Sequence, residues 1–430
     1  MKKFWFIVYN VLVIPWLTLF FSFVSLFNDK VKRGYTERKK QNPKLIKKFE
    51  KLDRSKKLLW FHSASLGEFE QAKPIIQKIK QEQDVNILVT FFSPSGYDNS
   101  QKYPYADVIA YLPVDSVKNV REFISISNPD IAIFMRYDVW PNLIWELGNR
   151  NIPSMIVDAT MRKNSKRKFP IIKGFHTSLY QNFSKILTVS KEDLIGFKDF
   201  KIDKNKLDVI GETRFDRVYQ KSLSARDKKL FKDGLFEGKK VFVIGSSSEY
   251  DENVVFPAFE KLLKNDPNCV LIIAPHEPDL ITLEKIENTF AGIEKTIRFS
   301  SKNNYQGEKI IIIDSIGILL TLYYYADVVY VGGSFKEGVH NVLEPAVYGI
   351  PLFFGPKIEN SQEALELVKR GGGKIVNNKK EAYRMLRTFS NDPAERKRMG
   401  DICLEYVNEN IGASDKIIAE IHNLLSVNRS

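Results

Sequence analysis

The sequence predicts an α/β protein built from two doubly wound parallel sheets behind an amino-terminal membrane anchor. Three observations carry this: the length, two successive series of short apolar runs alternating with amphipathic stretches, and a long charge-free segment at the start. At 430 residues the chain exceeds one ordinary core and suits two domains of roughly 150 to 200 residues. Hydrophobic content of 43% and charge of 27% are values of a globular chain, not of a disordered one. The two cysteines, Cys269 and Cys403, have no C-x-x-C partner, which argues against a disulfide framework or a thiol-rich metal site. A net charge of +13 calls for an acidic partner: nucleic acid, an anionic membrane or a phosphorylated substrate.

The first element is the anchor. From Phe4 to Asn28 there is no charged residue, and the run is long enough to cross a bilayer. A secretory signal is the alternative, but the stretch is too long for one and no small-residue cleavage site follows. Lys30, Lys32, Arg33, Arg38, Lys39, Lys40, Lys44, Lys47 and Lys48 come next, a density of positive charge that places the downstream side in the cytoplasm. Asn10 and Pro15 leave open a helix lying in the interface instead of spanning.

Past the anchor, apolar runs begin at Leu58, Val85, Asp107, Asp130, Ser154, Lys185 and Leu207. Most neighbours are spaced widely enough for an intervening helix. A second series begins at Lys240, Val270, Lys309, Asp327 and Pro351. Two doubly wound sheets follow, with ligands expected in a cleft where the carboxyl ends of both sets of strands face each other. The charged, apolar-poor stretch from Tyr219 to Lys240 supplies the boundary. The expected divisions are an anchor at 1–30, an amino-terminal domain at 31–218, a carboxyl-terminal domain at 219–410, and a last helix at 411–430 whose return to the first domain is left open.

Three loops have the composition of a site. The segment Val331–Pro356, VGGSFKEGVHNVLEPAVYGIPLFFGP, reads as a buried strand, a Gly-rich turn, a polar helix start and another strand. With Asn341 as N-cap, free N–H groups and the positive helix end would suit a phosphate, and Glu344 could accept both hydroxyls of a ribose. The alternative is a capping box from Asn341 to Glu344 without any ligand. In HSASLGEFEQAK from His62, Gly67 allows a tight turn and Glu68 opens a helix. Glu68 is either a dipole partner or a general base, in which case burial must offset the lowering of its pKa by the helix dipole. The hydroxyls of GSSSEYDE from Gly245 suit a phosphate cradle or an ordinary N-cap.

Together these residues resemble the 3-deoxy-D-manno-octulosonic acid (Kdo) transferases of lipid A assembly, glycosyltransferases of the GT-B type, from the anchor to about Gly412. The matching motifs are W-x-H-x-x-S-x-GE at Trp60 to Glu68, T-x-x-S-x-SG at Thr90 to Gly96, WPN at Trp140 to Asn142 and G-x-T-R-FD at Gly211 to Asp216. The carboxyl half adds D-S-x-G at Asp314 to Gly317, GGS at Gly332 to Ser334, G-x-HN-x-LEP at Gly338 to Pro345, and FGP with a following Asn360. The resemblance implies transfer of Kdo from CMP-Kdo to a hydroxyl of the lipid A precursor, with inversion and with neither metal nor cofactor. It implies Glu68 as the base. Donor contacts would fall to Arg214, Ser246, Ser247, His276, Gly317, Gly333, Ser334, Gly338, His340, Asn341 and Glu344, and acceptor contacts to Ser65, Gly67, Asp138, Trp140 and Asn142. For Arg214, a salt bridge to Asp216 or Glu212 is the alternative reading. It also implies residence at the inner membrane, with the catalytic domains on the cytoplasmic face.

The chain departs from the family pattern in places. Arg136, Tyr137 and Asp138 stand where many members have E-T-E, His276 and Glu277 interrupt a P-R-H-P turn, and Ile318 replaces a common Glu. The run MRKNSKRKFPIIKGF from Met161 interleaves cations with apolar residues, as docking to an anionic membrane requires. No nucleic-acid recognition motif accompanies the charge. The competing functions are a GT-B enzyme with another donor, a UDP-sugar transferase or 2-epimerase, and a non-catalytic membrane-surface binding protein.

Overall fold

The structure, a computed structural model, describes residues 2–427. The chain forms two compact units, one taking in the sequence to Arg217 and again from Gly412, the other Val218 to Ile411.

The first unit holds seven strands: β1 (Leu58–Ser63), β2 (Asn86–Phe91), β3 (Val108–Tyr111), β4 (Ile131–Met135), β5 (Ser154–Ala159), β6 (Lys185–Thr188) and β7 (Leu207–Val209). All pairings are parallel, in the order β3-β2-β1-β4-β5-β6-β7. Helices cover both faces, so a central strand is buried along its whole length and reads as a continuous apolar run. In β1, Leu58 and Trp60 enter one core with Phe123, Leu143 and Phe183, while Leu59 and Phe61 enter the other with Ile75, Ile76 and Ile79. The helix Ala413–Val427 lays Ile417, Ile418 and Ile421 into that second core. Its entry is fastened by Asp216, whose carboxylate accepts the backbone N–H groups of Gly412 and Ser414 at 2.6 Å each.

The second unit repeats the plan with β8 (Lys240–Ser247), β9 (Cys269–Pro275), β10 (Thr296–Arg298), β11 (Ile310–Ile312), β12 (Val328–Val331), β13 (Leu352–Phe354) and β14 (Gly373–Ile375). The order is β10-β11-β9-β8-β12-β13-β14, again with parallel pairings. Strands β10 and β14 are the two not anticipated from the sequence. Both cysteines are buried and unpaired, and burial pushes both thiols up to about 12.

The amino-terminal segment is one helical run from Lys2 to Val24, 23 residues long and apolar enough to cross a membrane. It is not regular, because Tyr9–Val13 form a π-helical turn between two α-helical stretches. One face lies on the first unit. Trp5 meets Phe175 edge-on, Phe6 packs on Trp145, and the Tyr9 hydroxyl donates to Asp115 at 3.0 Å. The opposite face, with Phe4, Ile7, Val11, Trp16, Leu19 and Phe23, is exposed. The next helix, Asp29–Phe49, starts at an Asn28 cap and buries Leu45 and Phe49 in the core.

Candidate functional site

In a doubly wound sheet the loops part where the strand order reverses, and ligands bind above that crevice. The reversal falls between β1 and β4 in the first unit and between β8 and β12 in the second. The loops singled out in the sequence follow those strands.

In the first unit, Ser65 caps the helix Leu66–Glu82, its hydroxyl accepting from the Glu68 N–H at 3.5 Å. The Glu68 carboxylate turns back and accepts the Ala64 N–H at 2.6 Å. Glu68 is only 9% exposed. Burial raises its pKa, with Asp138 adding to the rise, while the Ala64 N–H, His62 and Arg136 oppose it. Desolvation therefore outweighs hydrogen bonding, as a carboxylate base needs. Gly67 is not demanded by the backbone, since an added Cβ would meet only the Ser65 hydroxyl, at 3.9 Å.

Asp138 is joined to this group through His62. The imidazole contacts Thr90 Oγ1 through Nδ1 and Asp138 Oδ2 through Nε2, each at 2.9 Å. Thr90 Oγ1 also accepts from Trp60 Nε1 at 2.8 Å. Two residues on, Trp140 stacks on Phe92 with centroids 4.9 Å apart. Asn142, expected to touch the acceptor, is otherwise engaged: its amide donates to Asn10 and to the Asp115 carbonyl oxygen and accepts from Asn10. It is 3% exposed. Arg136 adopts φ +61°, which aims its guanidinium at Gln71 (2.9 Å) and Glu212 (2.8 Å). Arg214 also grips Glu212, at 2.5 and 3.0 Å, so of its two sequence readings the ion pair is the one seen. Behind them Asp158 accepts from the Thr213 N–H at 3.1 Å. Burial and the nearby Glu212 push that carboxyl up to about 7.

In the second unit the organising group is Asp251, fully buried, which the sequence reading passed over. It accepts from the Ser248 N–H and hydroxyl at 2.9 and 2.7 Å, from the Gly333 N–H at 2.9 Å and from the Tyr330 hydroxyl at 2.8 Å. One carboxylate thus ties the loop after β8 to the loop after β12. Its position in GSSSEYDE was the available signal. Gly332 has to be small, since a Cβ would lie 2.2 Å from the Ser246 carbonyl oxygen. Ser246 itself has φ +53°, an uncommon conformation outside glycine. The imidazoles of His276 and His340 stack 4.6 Å apart, 13° from parallel, and burial together with His276 lowers the pKa of His340. His340 lies beside Gly333, where a Cβ would come 2.8 Å from its ring.

Several of the expected donor residues already have partners within the chain. The Gly333 N–H is given to Asp251, the Ser334 hydroxyl is buried and accepts from the Gly355 N–H at 2.6 Å, and the Ser247 hydroxyl donates to Glu252 at 2.9 Å. Asn341 is not the N-cap. The helix is a single turn, Leu343–Ala346, preceded by Val342, too short to carry much of a dipole. Asn341 instead donates to Glu344 at 2.9 Å and accepts from the Leu343 N–H at 3.2 Å. Gly338 is held against Asn360, whose amide donates to Val339 O at 2.9 Å. Gly317, with φ +88°, belongs to the exposed loop after β11 and not to the strand reversal. Among the described residues no group of three or more His, Cys, Asp or Glu is arranged to hold a metal.

Two parallel doubly wound units, each with polar loops at its strand reversal, define the GT-B class. The chain has that fold, and it superposes on UDP-GlcNAc 2-epimerase of Neisseria meningitidis, solved with UDP-GlcNAc, with a TM-score of 0.58, 15% identity, 85% of this chain and 98% of that one covered. Residues 34–217 match the family model described as 3-deoxy-D-manno-octulosonic-acid transferase (kdotransferase). The match covers most of the first unit, and the chain is a glycosyltransferase. It is 28% identical to the 3-deoxy-D-manno-octulosonic acid transferase of Haemophilus influenzae over 84% of this chain and 85% of that protein. It is likewise 28% identical to a bifunctional glycosyltransferase/methyltransferase of Fusobacterium nucleatum, covering 89% of this chain but only 59% of that longer protein.

Proposed function

We propose that the protein transfers Kdo from CMP-Kdo to a hydroxyl of the lipid A precursor in lipopolysaccharide synthesis, inverting the anomeric carbon without a metal ion. The observation that carries the reading is Glu68, a buried carboxylate of raised pKa at the strand reversal of a unit matching the Kdo-transferase family. In its ionised form Glu68 takes the acceptor's proton as the hydroxyl oxygen attacks the anomeric carbon of the donor. The new carbon–oxygen bond forms as the bond to the CMP phosphate breaks, and CMP leaves with that electron pair. Asp138, held by His62, contributes an acceptor contact and keeps Glu68 basic.

In the second unit the stacked His276 and His340 rings offer ring N–H donors, so the pair suits a phosphate group. Ser246 and the loops set by Asp251 shape the same region, and Glu344 supplies the ribose contact. Membrane attachment is supported by the exposed apolar face of the Lys2–Val24 helix, and by Phe169 and Ile171, exposed beside Lys166, Arg167 and Lys168. Positive charge after the anchor supports a cytoplasmic placement at the inner membrane.

The test is incubation of the full chain with CMP-Kdo and a lipid A precursor, reading product mass, with UDP-sugars in parallel. A product heavier by one or more Kdo units is expected. Release of UDP and no release of CMP would overturn the reading.

A further inference from the structure

Between the amino-terminal helix and the first unit lies a cavity of about 250 Å³. Leu17 and Phe21 of that helix, Val31 and Arg38 of the next, and the stacked Phe92 and Trp140 form much of its wall. The lining is mostly apolar; its polar members include Thr18, Ser93 and Asp115, whose carboxylate already accepts from Tyr9, Asn142 and Leu143, and two groups that bear on a ligand. The Arg38 guanidinium donates to the main-chain oxygens of Leu112, at 3.0 Å, and Phe92, and no carboxylate pairs with it in the described structure. The Trp140 indole N–H is buried without an acceptor among the described residues. A mostly apolar hole whose guanidinium feels the Asp138 charge but forms no salt bridge among the described residues suits an amphiphile with a hydrocarbon chain and an anionic head.

Position narrows the choice. Trp140 is two residues from Asp138, which is bonded to His62, so the cavity adjoins the loop carrying the acceptor side of the site. Its other wall is the inner face of a helix whose outer face exposes Trp16, Leu19 and Phe23. A chain leaving lipid beside this helix would reach the cavity without crossing water. We propose that the cavity receives one acyl chain of the acceptor, with Arg38 facing the acceptor's phosphate. This rests on the reading above that the acceptor is an acylated, phosphorylated disaccharide.

The experiment uses the full chain in phosphatidylcholine nanodiscs and a lipid A precursor with a diazirine at the end of one acyl chain. Photolabelling is expected in peptides containing Leu17–Phe21 and Val31–Arg38, and excess unlabelled precursor should remove it. Leu17→Trp and Val31→Phe, which fill the cavity from two different helices, should cut the labelling. They should also lower the ratio of kcat/KM for acylated over deacylated acceptor by about tenfold, equivalent to excluding roughly two methylenes. Labelling elsewhere, or equal labelling by a diazirine phosphatidylglycerol of the same chain length, overturns the proposal. The labelling reads the cavity even if no Kdo is transferred, so failure of the functional reading is seen separately in the product assay.

Discussion

Asn10 in the amino-terminal helix and Asn142 at the start of the helix Pro141–Asn149 exchange two side-chain hydrogen bonds, each of 2.8 Å. The pair is continued by Asp115, which accepts the Asn142 and Leu143 N–H groups at 3.0 Å each as well as the Tyr9 hydroxyl. A helix apolar enough for lipid is therefore pinned to the first unit by a polar clamp at its midpoint.

The clamp can be measured. Asn142→Ala leaves Asn10 and the Asp115 carbonyl short of partners, at a cost of about 1–3 kcal/mol. A double-mutant cycle with Asn10→Ala should give a coupling of about 0.5–3 kcal/mol in denaturant unfolding. Strict additivity would mean that the pair is not formed in solution.

Glu68→Gln keeps size and shape but removes the proposed base. The expected loss in kcat is about a hundredfold or more with unchanged circular dichroism. A loss under about threefold would remove Glu68 from the reaction.

The pH dependence follows from the same carboxyl. As the proposed base Glu68 would act ionised, and burial raises its pKa, so kcat/KM should fall on acidification at a higher pH than for an ordinary glutamate near about 4.3. Asp138→Asn removes a neighbouring negative charge that favours the protonated form. The acid limb of the profile should then move to lower pH, and a shift upward would contradict the arrangement.

Asp158 bears on stability. Its carboxyl is pushed up to about 7 in the folded chain, against roughly 3.9 when unfolded. Between those values the folded state binds more protons, so the contribution of this group falls as pH rises through the window and is fullest below it. Asp158→Asn should flatten that decline in urea unfolding between about pH 4 and 7. Asparagine also tolerates the φ of +51° at this position.

Gly245 has no room for a side chain, since a Cβ would lie 1.9 Å from the Tyr323 hydroxyl. Gly245→Ala should destabilise the second unit by about 1–3 kcal/mol, as overpacking does. Tyr323→Leu in the same chain should restore part of the loss. No rescue in thermal unfolding would place the strain elsewhere.

How much of this was readable follows from where each contact is made. The strands of the first sheet could be read because parallel strands buried on both faces are apolar without interruption. Strands Thr296–Arg298 and Gly373–Ile375 could not, because they are the two edges of the second sheet, only partly buried, and their sequences TIR and GKI carry no apolar run. The spacing of Asn341 and Glu344 in HNVLEP looked like a cap because a capping box and a bonded side-chain pair share the same separation; in the structure Asn341 and Glu344 bond to each other. Arg136 seemed a departure from an acidic pattern. Its partners Gln71 and Glu212 lie 65 and 76 residues away, a distance over which a single sequence carries no signal.

The π-helical turn at Tyr9–Val13 also sets the phase of the amino-terminal helix. A regular helix advances about 100° per residue, and a bulge amounts to about one inserted residue. Before it and at its start, Trp5, Phe6, Tyr9 and Asn10 face the protein; after it, Ile14, Leu17 and Phe21 do. Were the same residues wound as a regular α-helix, everything downstream would turn by about that angle, bringing Trp16 and Phe20 toward the protein and Leu17 and Phe21 away from it. The bulge therefore decides which side of this helix packs on the first unit and which apolar side stays exposed.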